Sequence, residues 1–180
     1  MNDNLALEKK ILEQKRKDIL NEVEQKKRYQ EEIQKKLISV TKEAKGSYSQ
    51  EKENTEKIYM LLKKEIENYE EALKNPYFGR VDFDEKFGSQ EKIYIGKKGI
   101  TSTYDGEEIV VDWRAPVADL YYSGTGGEAY YKAPMGVVEG DLNLKRKFLY
   151  NEENLSKIFD EGTNEIIING EEGEGLVDEF

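Results

Sequence analysis

The sequence predicts an α+β protein in which a long antiparallel helical hairpin, a coiled coil, precedes a small antiparallel, barrel-like β domain. Residues 1–75 contain no proline and a single glycine, Gly46, and they are rich in Lys, Glu and Gln. Residues 76–180 hold all three prolines and the only tryptophan. We therefore expect a hairpin over residues 1–75, a β-rich domain over 76–160, and an acidic tail over 161–180 that is partly disordered or truncated.

The first helix is predicted by an apolar stripe with a 3.5-residue period, the spacing of a coiled-coil seam. Lys26 and Gln30 interrupt this stripe, and straight-chain helix formers occupy the other faces. Asp3 or Asn4 could cap the start of the helix, and Gly46 is well placed to end it. The stripe consists of Leu5, Leu12, Ile19, Val23, Ile33, Leu37, Val40 and Ala44.

A second apolar stripe predicts a shorter helix. Ser47 with Gln50 has the pattern of a capping box at its start. Pro76 ends it, because proline disfavours helical backbone in the residue before it. The stripe consists of Thr55, Ile58, Leu62, Ile66, Tyr69 and Leu73.

The simplest arrangement of the two helices is an antiparallel hairpin with its tip at Lys45, Gly46, Ser47 and Tyr48. At about 1.5 Å per residue, the first helix would be about 60 Å long and would outrun the second by roughly 15 residues. Its N-terminal part must then pack on the β domain or on a partner. The alternative is one uninterrupted helix that dimerises.

The pattern after Pro76 is that of short strands separated by glycine-bearing turns. We expect strands over 93–95, 109–111, 129–131 and 142–150, and the short spacing between them favours antiparallel pairing. Asp105 and Gly106 form a dipeptide typical of hairpin turns. Residues 166–168 could form a further strand, and the Glu- and Gly-rich residues after them are expected to be poorly ordered.

Composition excludes several functional classes. The net charge is −10, and residues 151–180 hold ten acidic residues and one lysine, so the chain is not a general polyanion binder. The absence of His and Cys excludes His-activated nucleophiles and thiolate metal sites, and the lack of Cys favours a reducing cytoplasm. No apolar run approaches the ~20 residues of a membrane span. There is no P-loop motif, so we expect no catalytic residue, cofactor or metal site in this segment.

Two short segments are candidate contact sites. Asp112 and Arg114 lie on one side of an extended chain and Trp113 on the other. They form either a buried Trp anchor with an ion pair that fixes a turn, or a site where Arg114 contacts a phosphate or a partner carboxylate.

The second candidate is the basic run Lys145, Arg146 and Lys147 inside an apolar strand. It forms either a solvated strand face or a contact with nucleic-acid phosphates. Gly124 to Gly127 is glycine-rich but lacks the context of a phosphate loop, so we interpret it as a flexible hairpin loop.

Four segments form an ordered series: NPYFGRVDF at 75–83, IYIG at 93–96, VDWRAPV at 111–117 and LKRKF at 144–148. With the preceding hairpin, this series resembles the N-terminal region of the HelD family. Its members are bacterial superfamily 1 (UvrD/Rep-like) helicase-like ATPases that associate with RNA polymerase.

The resemblance implies that the chain is the N-terminal part of a larger protein, whose ATP- and Mg²⁺-binding motifs follow it. It implies that the hairpin enters the secondary channel of core RNA polymerase, and that the parent recycles transcription complexes and could contact DNA. Arg80, in the first segment, joins the other candidates for nucleic-acid or interdomain contacts. Because the tip itself carries no carboxylate, we do not expect it to bind the magnesium of the polymerase.

Two other functions compete with this one. A self-associating coiled-coil scaffold with a β adaptor would be dimeric, whereas the folded-back hairpin predicts a monomer. A carboxylate-dependent hydrolase would use Asp82, Asp84 or Asp112, but clustered acids without His or a metal-ligand spacing are usually surface charge.

Overall fold

The computed structural model describes residues 3–161 and two short paired strands at 167–168 and 171–172. The poor order that we expected after residue 168 lies outside the described residues, apart from the second of these strands. The α+β fold class is confirmed. The elements are α1 (Asp3–Ala44), α2 (Gln50–Ala72), β1 (Gly79–Glu85), β2 (Gln90–Gly96), β3 (Ile100–Thr101), β4 (Glu108–Asp112), a 3-10 turn (Pro116–Ala118), α3 (Asp119–Ser123), β5 (Gly127–Ala133), β6 (Gly136–Asn151), β7 (Asn154–Glu161), β8 (Ile167–Ile168) and β9 (Glu171–Glu172).

The two long helices form the predicted antiparallel hairpin within one chain. Lys26 pairs with Glu65, and the Lys27 Nζ lies 3.2 Å from the Glu70 Oε2. Most residues of the two apolar stripes are buried, either between the helices or against the sheet. Ile58 is an exception: the prediction that it lies in the buried seam is wrong, because 38% of the residue is exposed. Helix α1 has 42 residues and α2 has 23, so the N-terminal part of α1 extends past α2 and packs on the sheet.

The ends of the helices differ in detail from the prediction. Gly46 follows α1 with a φ of +81°, a left-handed conformation that glycine adopts without steric cost. The capping box at Ser47 and Gln50 is wrong: Ser49 is the N-cap of α2, and its Oγ accepts a hydrogen bond from the Lys52 amide at 3.2 Å. Helix α2 ends at Ala72, four residues before Pro76.

The β domain is a mixed seven-stranded sheet in the order β3-β4-β2-β1-β6-β5, with β7 paired to the second half of β6. The prediction of purely antiparallel pairing is wrong, because β2 and β4 run parallel at Ile95 and Val111. The connection between them contains β3, which pairs with the other edge of β4, so β4 returns in the direction of β2. Barrel closure is not seen among the described strands, since β3 and β5 end the sheet path.

Three strands of this sheet, β1, β3 and β7, have no counterpart in the prediction, and neither has the separate strand β9. Strand β6 is longer than the 142–150 segment expected. The Asp105-Gly106 pair lies in a six-residue loop between β3 and β4, where Gly106 has a φ of +75°. Gly124 to Gly126 join α3 to β5, which begins at Gly127, so the predicted strand-to-strand hairpin loop at this position is wrong.

The base of the hairpin and the sheet share one hydrophobic core. Leu12, Ile19 and Val23 of α1 and Ile66 of α2 pack with Tyr94 and other residues of the sheet. Ile33 and Val40, farther along α1, are buried but do not belong to this core. A second cluster, around Phe83, Ile95 and Leu120, lies between the sheet and α3. No helix in the described part of the chain has the length and hydrophobicity needed to cross a bilayer.

Candidate functional site

The tip of the hairpin is a polar turn that presents one aromatic ring. Lys45 and Gly46 both have positive φ, 49° and 81°, which reverses the chain within two residues. The Ser47 amide then donates to the Ala44 carbonyl at 2.8 Å. Tyr48 is 77% exposed, and its hydroxyl lies 2.7 Å from the Gln50 Oε1 and 3.0 Å from the Glu53 Oε2. The hydrogen bond to Glu53 raises the pKa of Tyr48, so the ring stays neutral at the tip.

The base of the hairpin is held by a buried network centred on Glu8 of α1, which has no solvent exposure. The Glu8 Oε2 accepts hydrogen bonds from the Arg80 Nη1 at 2.9 Å and from the Arg146 Nη1 at 2.5 Å. Its Oε1 accepts a hydrogen bond from the Tyr94 hydroxyl at 2.8 Å. One carboxylate of the helix therefore binds side chains from three neighbouring strands.

Each arginine of this network has a second carboxylate partner on the sheet. Arg80 binds Asp82 through two hydrogen bonds of 2.8 Å. Arg146 binds Asp160 through bonds of 2.6 and 2.9 Å. Bidentate pairing satisfies the planar guanidinium in a fixed orientation, which reduces the cost of burying its charge. Burial raises the pKa of Tyr94, with Glu8 as the next cause, so its hydroxyl remains a hydrogen-bond donor.

Further polar contacts join α1 to the rest of the molecule on the C-terminal side of Glu8. The Lys15 Nζ donates to the Ile109 carbonyl at 2.6 Å, and burial lowers the pKa of this lysine. The Arg16 Nε donates to the Leu73 carbonyl at 2.8 Å. Beyond these, the Glu22 carboxylate accepts the Thr103 amide at 3.2 Å.

The segment from Asp112 to Arg114 forms a turn after β4, but the buried Trp anchor is wrong because Trp113 is 47% exposed. Asp112 and Arg114 make two side-chain hydrogen bonds of 3.0 and 2.9 Å, and the Asp112 Oδ1 also accepts the Arg114 amide at 2.8 Å. These hydrogen bonds lower the pKa of Asp112. The ring of Trp113 meets that of Tyr122 edge to face, with centroids 6.5 Å apart. The ion pair fixes the turn and leaves the indole open to solvent.

The basic strand divides between the two faces of β6. Arg146 is buried in the Glu8 network, whereas Lys145 and Lys147 lie on the opposite face. The Lys145 Nζ donates to the Gly124 carbonyl at 3.3 Å and lies 3.4 Å from the Glu161 Oε2. Burial lowers the pKa of Lys147. The structure thus separates the three cations instead of presenting one continuous basic edge.

The fold consists of a helical hairpin followed by a sheet that packs against the base of the hairpin, and the four sequence segments occur in order in the sheet domain. The chain matches the family described as DNA helicase IV HelD, N-terminal domain, over residues 5–172. The chain belongs to this HelD N-terminal domain family. No individual curated protein matches it.

The match to the HelD domain spans both the hairpin and the sheet, so the Glu8 network lies within it. The chain is therefore a helicase-associated N-terminal module whose helical and β parts are joined by buried charge. Sequence reasoning missed Glu8, Lys15 and Glu22. A signal for Glu8 was available, because it lies three residues after Leu5 and four before Leu12, which places it on the apolar stripe.

Proposed function

We propose that this HelD domain is the RNA polymerase-binding module of a helicase-like ATPase, and that its hairpin enters the secondary channel of the core enzyme. The observation that carries the proposal is the projecting half of the hairpin. The Thr103 hydroxyl donates to the Gln25 Oε1 at 2.7 Å, and α1 continues from there to Ala44. At 1.5 Å per residue these 19 residues span about 28 Å.

The outer surface of this projecting part is suited to a protein wall. Ile38, Met60 and Leu61 are 52%, 58% and 67% exposed, and charged residues surround them. Their apolar surface would be buried against the wall of the secondary channel, while Lys45 and Tyr48 at the hairpin tip would make the contacts deepest in the channel. The tip carries no carboxylate at its apex, so the proposed role is occupancy of the channel without metal coordination.

The remaining activities belong to the proposed parent protein. Its ATPase motor would bind ATP and Mg²⁺, contact DNA and use the energy of hydrolysis to recycle transcription complexes. In the module itself, Asp82 and Asp112 are each bound by a neighbouring arginine, which makes them unsuited to hydrolysis. We propose that the module acts in the cytoplasm as a monomer.

A competition assay tests the proposal. The fluorescently labelled chain is titrated with core RNA polymerase, and a transcript-cleavage factor that occupies the secondary channel is then added. We expect binding that the competitor reverses. Lys45→Glu and Tyr48→Ala should each weaken binding about tenfold, because truncating a central contact typically costs this much.

Lys97→Glu is the matched control, because Lys97 is an exposed turn lysine on the body. It should leave the affinity unchanged. Binding that resists the competitor and tolerates both tip substitutions would exclude the secondary channel. Sedimentation of the free chain as a stable dimer would instead favour the coiled-coil scaffold.

A further inference from the structure

Three large apolar side chains are almost completely exposed at the tips of three β turns. Phe87 is 96% exposed, Tyr104 is 92% exposed and Met135 is 101% exposed relative to its reference state. They lie in the β1–β2 turn, the β3–β4 loop and the β5–β6 turn. In the described part of the chain, no other large apolar residue is as exposed.

The strand directions bring these turns to one end of the sheet. Strand β1 runs toward Phe87, and β2 runs away from it. Because β4 is parallel to β2, the loop that precedes β4 lies at that same end. Gly140 of β6 pairs with Glu85 at the end of β1. The β5–β6 turn follows the Ala133–Gly136 pair, so it lies farther out at the same end of the sheet.

Contacts and grooves join the three turns into one surface. The Lys86 amide donates to the Glu139 carbonyl at 2.9 Å, and a groove between these elements is also lined by Tyr130. On the other side of the β1–β2 turn, a second groove lies between Gln90 and Glu107. The Phe87 turn therefore stands between two open grooves.

Two more apolar side chains extend this surface along the β5–β6 hairpin. Tyr130 and Val137 are 60% and 56% exposed. Tyr130 opposes Glu139 and Lys132 opposes Val137, so all four lie on one face. We name Phe87, Tyr104, Tyr130, Met135 and Val137 the loop-tip face. A clustered apolar surface with a polar rim is typical of an interaction site.

The charge of the rim distinguishes among possible partners. Residues 85–92, 104–108 and 128–141 contain eight carboxylates and three lysines. Burial raises the pKa of Glu91, and Glu85, Glu108 and Glu107 raise it further, which shows how closely these acids converge. Such a field repels nucleic-acid phosphates and anionic lipid headgroups, and it attracts a basic protein surface.

The hairpin leaves the body beside this face. The last hydrogen bonds of α1 to the sheet are made to Thr103, the neighbour of Tyr104. A partner that receives the projecting hairpin therefore meets the β3–β4 loop at the mouth of its cavity.

We infer that the loop-tip face is a docking surface for a basic protein surface with apolar hollows. The inference rests on the proposed function in one respect: the partner is RNA polymerase, and the contact is a second one, separate from the hairpin tip. Phe87 is the central anchor, because it stands between the two grooves.

Photo-crosslinking with core RNA polymerase tests this inference on the full chain. A benzophenone amino acid is placed at Phe87, at Tyr48 or, as a control, at Leu7, which is 52% exposed on α1. We expect the first two positions to cross-link to polymerase subunits, and the peptide captured from position 87 to be rich in Lys and Arg. The combined Phe87→Ala and Tyr104→Ala variant should bind polymerase about tenfold more weakly, whereas Leu7→Ala should bind normally.

The outcomes separate this inference from the function on which it rests. Cross-linking from Tyr48 alone, with normal affinity of the double variant, would contradict docking by the loop-tip face and would leave the proposed function of the hairpin intact. Absence of binding and of cross-links at both positions would overturn both. Phe87-dependent binding to phosphatidylglycerol vesicles or to duplex DNA would overturn it in favour of a membrane or a nucleic acid. Unchanged urea unfolding of the double variant excludes misfolding, since both side chains are exposed.

Discussion

At the scale of single residues, Glu8 matters most, because it accepts hydrogen bonds from two guanidinium groups on the opposite side of an interface. Replacing both partners of a buried hydrogen bond with apolar groups can be harmless, but removing one partner leaves the other buried and unsatisfied. In this network Asp82 and Asp160 each stay with one arginine, so loss of Glu8 removes only the bonds that cross from the helix to the sheet.

We predict that Glu8→Ala lowers the free energy of unfolding by about 3 kcal/mol or more, because it leaves three buried hydrogen-bond donors, on Arg80, Arg146 and Tyr94, without their acceptor. Glu24→Ala, at an exposed position of the same helix, should change it by less than about 0.5 kcal/mol. Urea denaturation measures both. Equal effects of the two substitutions would show that the network does not hold the helix.

Two buried tyrosines provide a sharper comparison. The Tyr77 hydroxyl is buried and, among the described residues, has no hydrogen-bond partner, whereas the Tyr94 hydroxyl donates to Glu8. Tyr77→Phe should therefore be neutral or stabilising, and Tyr94→Phe should cost about 1.5–3 kcal/mol, the value of a hydrogen bond to a charged group. Thermal and urea unfolding of the two variants measure the difference. The reverse order of stability would contradict the assignment of the network.

Asp112 gives a prediction about pH. The hydrogen bonds from Arg114 hold the folded-state pKa of Asp112 below its ordinary value of 3.8, so the pair stabilises the fold above that pH. This stabilisation is lost as the pH falls through the lower folded-state value. Asp112→Asn should cost less than about 1 kcal/mol at neutral pH, because the pair is largely exposed to solvent. In unfolding curves measured across pH, the cost should shrink as the pH falls below 3.8. A cost independent of pH would exclude the ion pair as its source.

At the scale of secondary-structure elements, the helices were the more predictable part. Their apolar stripes have a period that only a helix satisfies, and Gly46 marks the reversal between them. The strands were less predictable: β1 alternates charged and apolar residues as a strand does, yet it was not predicted. Arg80 was expected to make nucleic-acid or interdomain contacts, and it is buried against Glu8, a partner distant in sequence.

The site was less predictable than the fold for the same reason. Asp112 and Arg114 are two residues apart, so local geometry was enough to pair them. Glu8 and Arg146 are 138 residues apart, and only the packing of α1 across β6 brings them together. The sequence could place Glu8 on the apolar stripe, but it could not supply the arginines that satisfy it there.

The start of α2 can be tested with two serines. Ser49→Ala removes the side-chain acceptor of the Lys52 amide and should lower the free energy of unfolding by about 1 kcal/mol. Ser47→Ala should have little effect, because Ser47 lies in the turn before the N-cap. Urea denaturation and amide exchange in the first turn of α2 measure both effects. A larger cost at Ser47 would restore the capping box that the sequence suggested.

At the scale of the whole molecule, α1 belongs to two structures at once. Up to Val23 it packs in the core of the β domain, and from there to Ala44 it is one of the two helices of a coiled coil. The core of the body therefore does not depend on the projecting half, although both are parts of one continuous helix.

This division predicts that the hairpin can be shortened without unfolding the body. Replacing residues 31–61 with a short Gly-Ser connection retains Lys26, Glu65 and the shared core. The variant should keep the near-UV circular dichroism signal of the β domain and lose the polymerase binding that we propose. Deleting residues 3–25 should abolish that signal, since it removes Leu12, Ile19 and Glu8 from the interior. Loss of the signal in both variants would show that the projecting half is needed for folding.

The continuity of α1 also has a mechanical consequence. A rigid helix anchored beneath a sheet acts as a lever: a load applied at Gly46 acts through an arm of about 28 Å, measured from Gln25, and is transmitted as torque to the part of α1 that Glu8 anchors. A force on this turn is therefore transmitted through Glu8 to the strands that carry Arg80 and Arg146.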